Sequence, residues 1–274
     1  MPPETPVCRF SDFSKGRSLR GLLRDSAVFA LSIGRSIAST SGWIRFPYYH
    51  HVFDDEQTGF ARQLKYLRQF GDFISLDDAL HLIGSDTPIE GRYFCITFDD
   101  GFKNCATHAM PILLDHKAPG AFYLATDYIG TDIEQDRDRL LDFFDHRLLL
   151  LEFLNWQDCR DMAAAGMTIG SHTVYHSRLA SLETEAVTTA LMDSKAAIEE
   201  NMGLRCEHFC APFGIPGRDF NIQRDPGLAH QAGYKSMSTT ERGRMGLGDD
   251  PYRIRRDHVL ANWSTHQLRY FLSL

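Results

Sequence analysis

Three short segments of this 274-residue chain carry residue types at spacings that suit hydrolytic chemistry. In Thr97-Phe98-Asp99-Asp100-Gly101, two adjacent carboxylates follow an apolar run. Placed together at the end of a buried strand they repel each other and lose solvation, so they need a cation or hydrogen-bond donors. Gly101 permits a sharp turn that lets both face one point. In Gly170-Ser171-His172-Thr173-Val174-Tyr175-His176, two imidazoles stand four residues apart. That spacing lets them meet on one side of a helical turn, as zinc-binding histidines do. One carboxylate with two histidines makes an open catalytic metal site, and the other carboxylate is then free to take a proton from water. The third segment, Ala211-Pro212-Phe213-Gly214, offers backbone N–H groups to a pocket.

The elements that must position these segments alternate from residue 43 onward. Trp43–Tyr49 reads as a strand, and Phe60, Leu64, Leu67 and Phe70 mark one helix face with Gly71 as its C-terminal cap. Phe73-Ile74 is a short strand, and Ser75 with Asp78 caps the next helix. Tyr93–Phe98 is continuously apolar, as in a strand buried on both faces. Pro111 kinks the helix read over Asn104–His116 or marks its true start. Ala121–Ala125 reads as a strand, Leu140–Phe153 and Trp156–Ala165 as helical. Met167–Gly170, Glu183–Asn201, His208–Ala211, Gly227–Ala232 and Tyr234–Met237 continue the alternation. Ser264 and Gln267 form a capping box for a last helix. About seven strand–helix units without a flexible linker predict one α/β domain over 43–274 with a largely parallel sheet. Phe94, Phe98, Phe122 and Tyr123 read as its core. His50-His51, after the first strand, either lines the mouth of a site or is simply exposed. No Gly-rich phosphate loop follows any strand, which removes the main support for nucleotide chemistry.

Composition narrows the function further. Lys and Arg number 29 against 36 Asp and Glu, a net charge of −7, and hydrophobic residues make up 43%. That is an ordinary globular balance, and its acidity argues against a nucleic-acid partner held by phosphate contacts. No apolar run approaches the roughly 18 residues of a spanning helix, and Ala27–Ile33 makes a poor export signal, so the chain reads as cytoplasmic. Six cysteines without a CxxC pair fit reduced thiols; Cys206, His208 and Cys210 lack a fourth ligand and read as buried strand residues. Residues 1–42 differ, with six bases (Arg9, Lys15, Arg17, Arg20, Arg24, Arg35) against three acids. Leu19, Leu22, Leu23, Val28 and Leu31 recur there loosely at helical spacing. This arm is expected either to pack across one end of the domain or to touch an anionic membrane surface.

From about Pro47 to Val259 the sequence resembles the polysaccharide deacetylases with a NodB-type domain, carbohydrate esterase family 4. The resemblance rests on Thr97–Gly101, Gly170–His176, the Ala211–Gly214 turn, Asn155-Trp156 and Ala232-Gly233-Tyr234-Lys235-Ser236. It implies a distorted (β/α)7 barrel, a TIM-like architecture. It also implies a divalent metal ion, with zinc expected, held by Asp100, His172 and His176, and Asp99 as the base that activates a metal-bound water. The implied reaction removes acetyl groups from an N-acetylated sugar or polysaccharide, with His50, Pro212 and Phe213 as candidate substrate contacts. A same-fold amidohydrolase acting on a small amide, and a saccharide-binding pseudoenzyme, are the competing functions. Oligomeric state is not legible.

Two positions depart from the family's pattern. Cys210 stands where the third motif often begins with an arginine that orients the base, and the Leu-x-His segment that offers an acid is missing. The late segment Tyr252–Val259 reads as a strand whose alternation sends Ile254, Arg256 and His258 to one face. Arg256 is therefore the candidate for orienting Asp99, and His258 for protonating the leaving amine. The competing expectation is an exposed ion pair among Arg255, Arg256 and Asp257.

Overall fold

Two of the strand-like segments each break in the middle, and the breaks build the domain. Trp43–Tyr49 divides into β1 (Trp43–Arg45) and β2 (Pro47–Tyr49), and the second run into β4 (Arg92–Phe94) and β5 (Ile96–Phe98). Pro47 has no N–H to give a ladder and is tolerated at the first position of a strand. At the break the Cys95 N–H still donates to the Arg45 carbonyl at 2.9 Å, so both runs change sheet together. β1 and β4 form a three-stranded parallel sheet with β3 (Asp72–Phe73). β2 and β5 enter a seven-stranded parallel sheet in the order β10-β2-β5-β6-β7-β8-β9. Its other strands are β6 (Gly120–Leu124), β7 (Thr168–Ser171), β8 (His208–Cys210), β9 (Ser236–Ser238) and β10 (Asp257–His258). The computed structural model describes residues 3, 5–13, 19–144 and 147–273.

The sheet curls toward closure. Ile254 donates to Met237 and accepts from Thr239, while three residues later Asp257 donates to Phe46, so one short segment ties β9 to β2. This curled α/β sheet is the expected barrel-like fold. The helices around it are α1 (Phe10–Phe13), α2 (Leu19–Ser32), α3 (Gln57–Leu67), α4 (Leu76–Ile83) and α5 (Met110–Asp115). They continue with α6 (Arg137–Asp142), α7 (Trp156–Ala164), α8 (Thr184–Met202), α9 (Asp225–Gln231) and α10 (Thr265–Leu272). Ser75 accepts from the Asp78 N–H, and Ser264 with Gln267 makes the expected capping box. Pro111 sits in the first turn of α5, behind a π-helical turn over Cys105–Ala109. Phe94, Phe98, Phe122 and Tyr123 are fully or nearly fully buried.

Several expectations are corrected. Helix α3 stops at Leu67, so Gly71 does not cap it; a Cβ there would lie 2.4 Å from the Arg92 carbonyl oxygen, and glycine serves the close approach of two chains. Leu140–Phe153 is not one helix. Helix ends at Asp142, and Glu152–Leu154 instead pairs with Gly101–Lys103 while Leu150, Leu151 and Phe153 pack against Phe53 and Phe102. The same apolar residues are thus buried by an extended segment. Residues 145 and 146 lie outside the described residues.

The N-terminal helix α2 packs on α10. Asp25 meets His266 at 2.9 Å, Arg269 donates to Ser32, and Arg35 lies over the Tyr270 ring. Val28 is buried there, whereas Leu23, Phe29, Leu31 and Ile33 are exposed. Lys15 and Arg17 lie outside the described residues, as do the side chains of Leu19, Arg20 and Leu22. Among the described residues no helix is long and apolar enough to cross a membrane.

Candidate active site

Strand ends deliver the site residues to one cavity of about 390 Å³. After β5, Asp99 donates its N–H to the Tyr49 carbonyl and still follows the sheet. Asp100 and Gly101 then adopt φ of 75° and 88°, reversing the chain so that both carboxylates turn inward. Left-handed backbone in a non-glycine residue costs on the order of 1 kcal/mol or more. Thr173, His176 and Phe213 share it, so four such residues gather at one site. This overturns the helical-turn reading of His172 and His176. They stand on an irregular loop after β7, and the left-handed His176 brings its ring back to its partner, with centroids 5.0 Å apart.

His172 Nδ1 lies 2.7 Å from the Cys210 carbonyl, so Nδ1 carries the proton and Nε2 presents a lone pair. That Nε2 faces Asp100 Oδ1 at 3.5 Å, and His176 Nε2 faces the same oxygen at 3.3 Å. Asp100 Oδ1 is buried without a hydrogen-bond partner. Burial lowers both histidines, His172 to about 4, with neighbouring charges adding smaller effects. Burial and the adjacent Asp99 charge push the Asp100 carboxyl well above its usual range. Two neutral imidazoles and an orphaned carboxylate oxygen within 4.8 Å of one another are a donor set for a divalent cation, which would relieve the acceptor–acceptor contact. The other set at such distances, Asp99, His172 and Cys210, fits a cation poorly because a guanidinium already occupies it.

That guanidinium is Arg256. Nη1 donates to Asp99 Oδ1 and Nη2 to Oδ2, each at 2.7 Å. Nε donates to the Thr239 carbonyl, Nη1 also reaches Thr97 Oγ1, and Nη2 lies 3.0 Å from Cys210 Sγ. The Tyr48 ring lies against its face at 4.4 Å. Fully buried, Arg256 has no part in an exposed ion pair. Asp257 pairs instead with Arg45, and Arg255 with Asp249. Burial alone would raise the Asp99 carboxyl; the Arg256 charge and its two hydrogen bonds outweigh this and hold it well below the usual range. Asp99 is held ionised at neutral pH.

The remaining candidates separate. His50 and Phe213 line the cavity; Pro212 does not. His258 sits outside the wall, its ring 5.0 Å from Tyr48 and 5.6 Å from His50. Burial lowers its imidazole to about 4, with smaller effects from His50 and Arg242. Cys206, His208 and Cys210 do not converge on a metal: His208 meets Asp77 and Ser236, while Cys210 meets Arg256. Missed by the sequence reading were Phe143 and Phe144, which wall the cavity, and Arg178, which pairs with Asp219 and lies 3.6 Å over the Phe213 ring. The Phe143-Phe144 doublet was legible as apolar, but a helix assignment hid its role. Nothing in spacing linked Arg178 to Phe213.

A family model described as polysaccharide deacetylase matches residues 87–235. A putative polysaccharide deacetylase of Bacillus subtilis, YxkH, is 23% identical over 206 residues, covering 75% of this chain and 65% of that protein. The chain thus spans just under two thirds of the length of this curated relative. Among solved structures, IcaB from Ammonifex degensii has a TM-score of 0.70 at 21% identity, over 86% of this chain and 98% of that one. The Streptococcus pyogenes deacetylase PplD in complex with acetate has a TM-score of 0.67 at 20% identity, over 85% and 99%. At such identities these likenesses speak for the fold.

Proposed function

The chain belongs to the polysaccharide deacetylase family, and we propose that it is a metal-dependent hydrolase that removes acetyl groups from an N-acetylated sugar or polysaccharide. One observation carries this reading: in a single cavity the Asp100, His172 and His176 donors adjoin an ionised carboxylate, Asp99, locked by Arg256. The acetate held by the S. pyogenes deacetylase is the product class such a reaction releases.

Asp100, His172 and His176 would hold the ion, zinc being the expected one. When bound, a divalent cation supplies Lewis-acid polarisation of the acetyl carbonyl and lowers the pKa of a water. Asp99 takes the proton of the attacking water through an oxygen lone pair that Arg256 leaves free. The fork of Arg256 fixes the carboxylate plane and keeps it charged until that transfer. Phe143, Phe144 and Phe213 exclude water and provide apolar faces for a sugar ring. His50 meets the substrate at the rim. The proton that Asp99 takes must end on the leaving amine; His258, neutral before reaction and one ring behind His50, serves as its relay, with His50 the group that faces the cavity.

Metal analysis of the purified chain, with acetate release measured across N-acetylated oligosaccharides and small amides, tests this. Roughly one divalent ion per chain and release from the saccharides are expected. His172→Ala should lose most of the metal while the fold survives. Unchanged metal in that variant would remove the assignment, release from small amides alone would point to an amidohydrolase, and saccharide binding without release to a pseudoenzyme.

A further inference from the structure

A second cavity, of about 500 Å³, shares no residue with the one around Asp99. Arg45 closes β1 and Arg255 stands two residues before β10, so this cavity lies where strands of the large sheet begin, whereas Asp99, Asp100 and His172 follow strand ends. Its wall carries four guanidiniums, from Arg45, Arg242, Arg244 and Arg255, and no carboxylate among the described residues. In a chain of net charge −7 that is a local concentration, not a reflection of overall basicity.

Two of the four charges are compensated from outside the wall. Asp257 meets Arg45 at 2.7 Å, and Asp249 meets Arg255 at 2.6 Å. The Nε of Arg255 is nevertheless buried with no hydrogen-bond partner. Arg242 and Arg244 form no ion pair among the described residues: Arg242 lies 4.9 Å over the Phe271 ring, and Arg244 donates to the Thr40 hydroxyl. Among the described residues the cavity therefore presents about two uncompensated positive charges, enough for the single charge of a phosphodiester and close to the −1.5 to −2 that a phosphomonoester carries at neutral pH. Planar guanidinium forks match phosphate oxygens in pairs. The volume far exceeds a bare oxyanion, and Trp43 and Ile37 supply an apolar wall for an organic substituent.

We propose that this cavity binds the phosphate group of an organic phosphate ester, with Arg242 and Arg244 as its principal charge partners. Such a group comes from a soluble ester or from a lipid headgroup. The second source is made concrete by α2, which leads into Ile37 of the wall and leaves Leu23, Phe29, Leu31 and Ile33 exposed.

Calorimetric titration of the full chain with glycerol 1-phosphate, and co-sedimentation with phosphatidylcholine vesicles with and without phosphatidylglycerol, separate the sources. The double variant Arg242→Glu/Arg244→Glu breaks no ion pair among the described residues and replaces no residue lining the deacetylase cavity; because the Arg242 charge is felt at His258 and Tyr48, acetate release is measured alongside. The substitutions should weaken binding by about tenfold or more per arginine in a variant whose circular dichroism shows the wild-type fold. Arg205→Glu, exposed elsewhere on the surface, should change nothing. Arginine-dependent titration by glycerol 1-phosphate supports a soluble ester, and arginine-dependent sedimentation requiring phosphatidylglycerol supports a headgroup. If neither probe binds, if the double variant binds both as the wild type does, or if Arg205→Glu weakens binding as much per charge, the proposal is overturned.

Discussion

Replacing Arg256 with Met tests how the Asp99 carboxylate, the base of the proposed reaction, is held. The guanidinium makes two 2.7 Å hydrogen bonds to Asp99 inside the protein, and the other described side-chain partner of that carboxylate is the Cys210 thiol at 3.8 Å. Arg256→Met therefore strands a buried, nearly unsolvated carboxylate. Removing one partner of a buried pair typically costs about 3–5 kcal/mol, because the other charge stays behind uncompensated. For a chain of this size each kcal/mol lowers the melting temperature by about 2–4 °C, so a fall of roughly 6–20 °C is expected. Asp99→Asn/Arg256→Met leaves no orphaned charge, and its loss should be smaller than the sum of the two single losses by about 2 kcal/mol. Turnover, assayed as acetate release at equal metal content, should fall about 10- to 100-fold in Arg256→Met, the usual loss when an orienting partner is removed. Arg256→Lys keeps the charge without the fork and should recover part of the stability and less of the turnover. The reasoning fails if Arg256→Met costs under about 1 kcal/mol, or if the two substitutions are simply additive. Wild-type turnover in the folded variant would equally refute an orienting role.

Four further outcomes concern other titratable groups. Asp99→Asn should keep its metal while kcat falls by about 10² or more; near-normal turnover would mean that another group takes the proton. His258→Ala should lower kcat with metal retained if its ring serves the leaving amine from behind His50, and His50→Ala should raise KM as well; normal turnover in His258→Ala assigns the acid elsewhere. Glu56, nearly buried at the start of α3, is pushed up to about 7 by burial, only partly offset by the Phe53 N–H it accepts. Its folded-state value exceeds its unfolded one, so the protonated form favours folding. That contribution, about 3 kcal/mol at most, is complete below about pH 4.5 and lost as pH rises through about 7. Glu56→Gln should flatten the melting temperature against pH between those values, and parallel curves for variant and wild type would exclude the linkage.

Legibility in the sequence followed the physics of each signal. Alternation of apolar runs and helical faces recovered the strand–helix order, because parallel strands buried on both faces leave continuous apolar text. Breaks inside those runs were not legible: Phe46 and Cys95 are as apolar as their neighbours, and only Pro47 marks a boundary. Leu140–Phe153 misled because burial against Phe53 and Phe102 satisfies the same residues without a helix. In the site, residue types and order brought Asp99, Asp100, His172 and His176 together, but the left-handed backbone at Asp100 and His176 depends on tertiary context. The aromatic wall and the Arg178–Phe213 contact depend on loops whose paths no local pattern encodes.

The position of Arg256 shows how a guanidinium from one strand can serve a carboxylate that follows another. Inside a curled parallel sheet, side chains from several strands converge, so a long side chain from one strand can reach a point usually served by another. Asp99 follows β5, while Cys210 ends β8 and Arg256 precedes β10, on the segment that ties β9 to β2. Alternation there sends Arg256 inward and Asp257 to Arg45, as the spacing of 256, 257 and 258 requires. With Cys210 Sγ only 3.0 Å from Nη2, an arginine at position 210 would need the space the Arg256 guanidinium now fills. The small thiol and the relocated arginine are therefore two halves of one arrangement. Restoring an arginine at 210 while keeping Arg256 would force two cations against a single carboxylate in the interior.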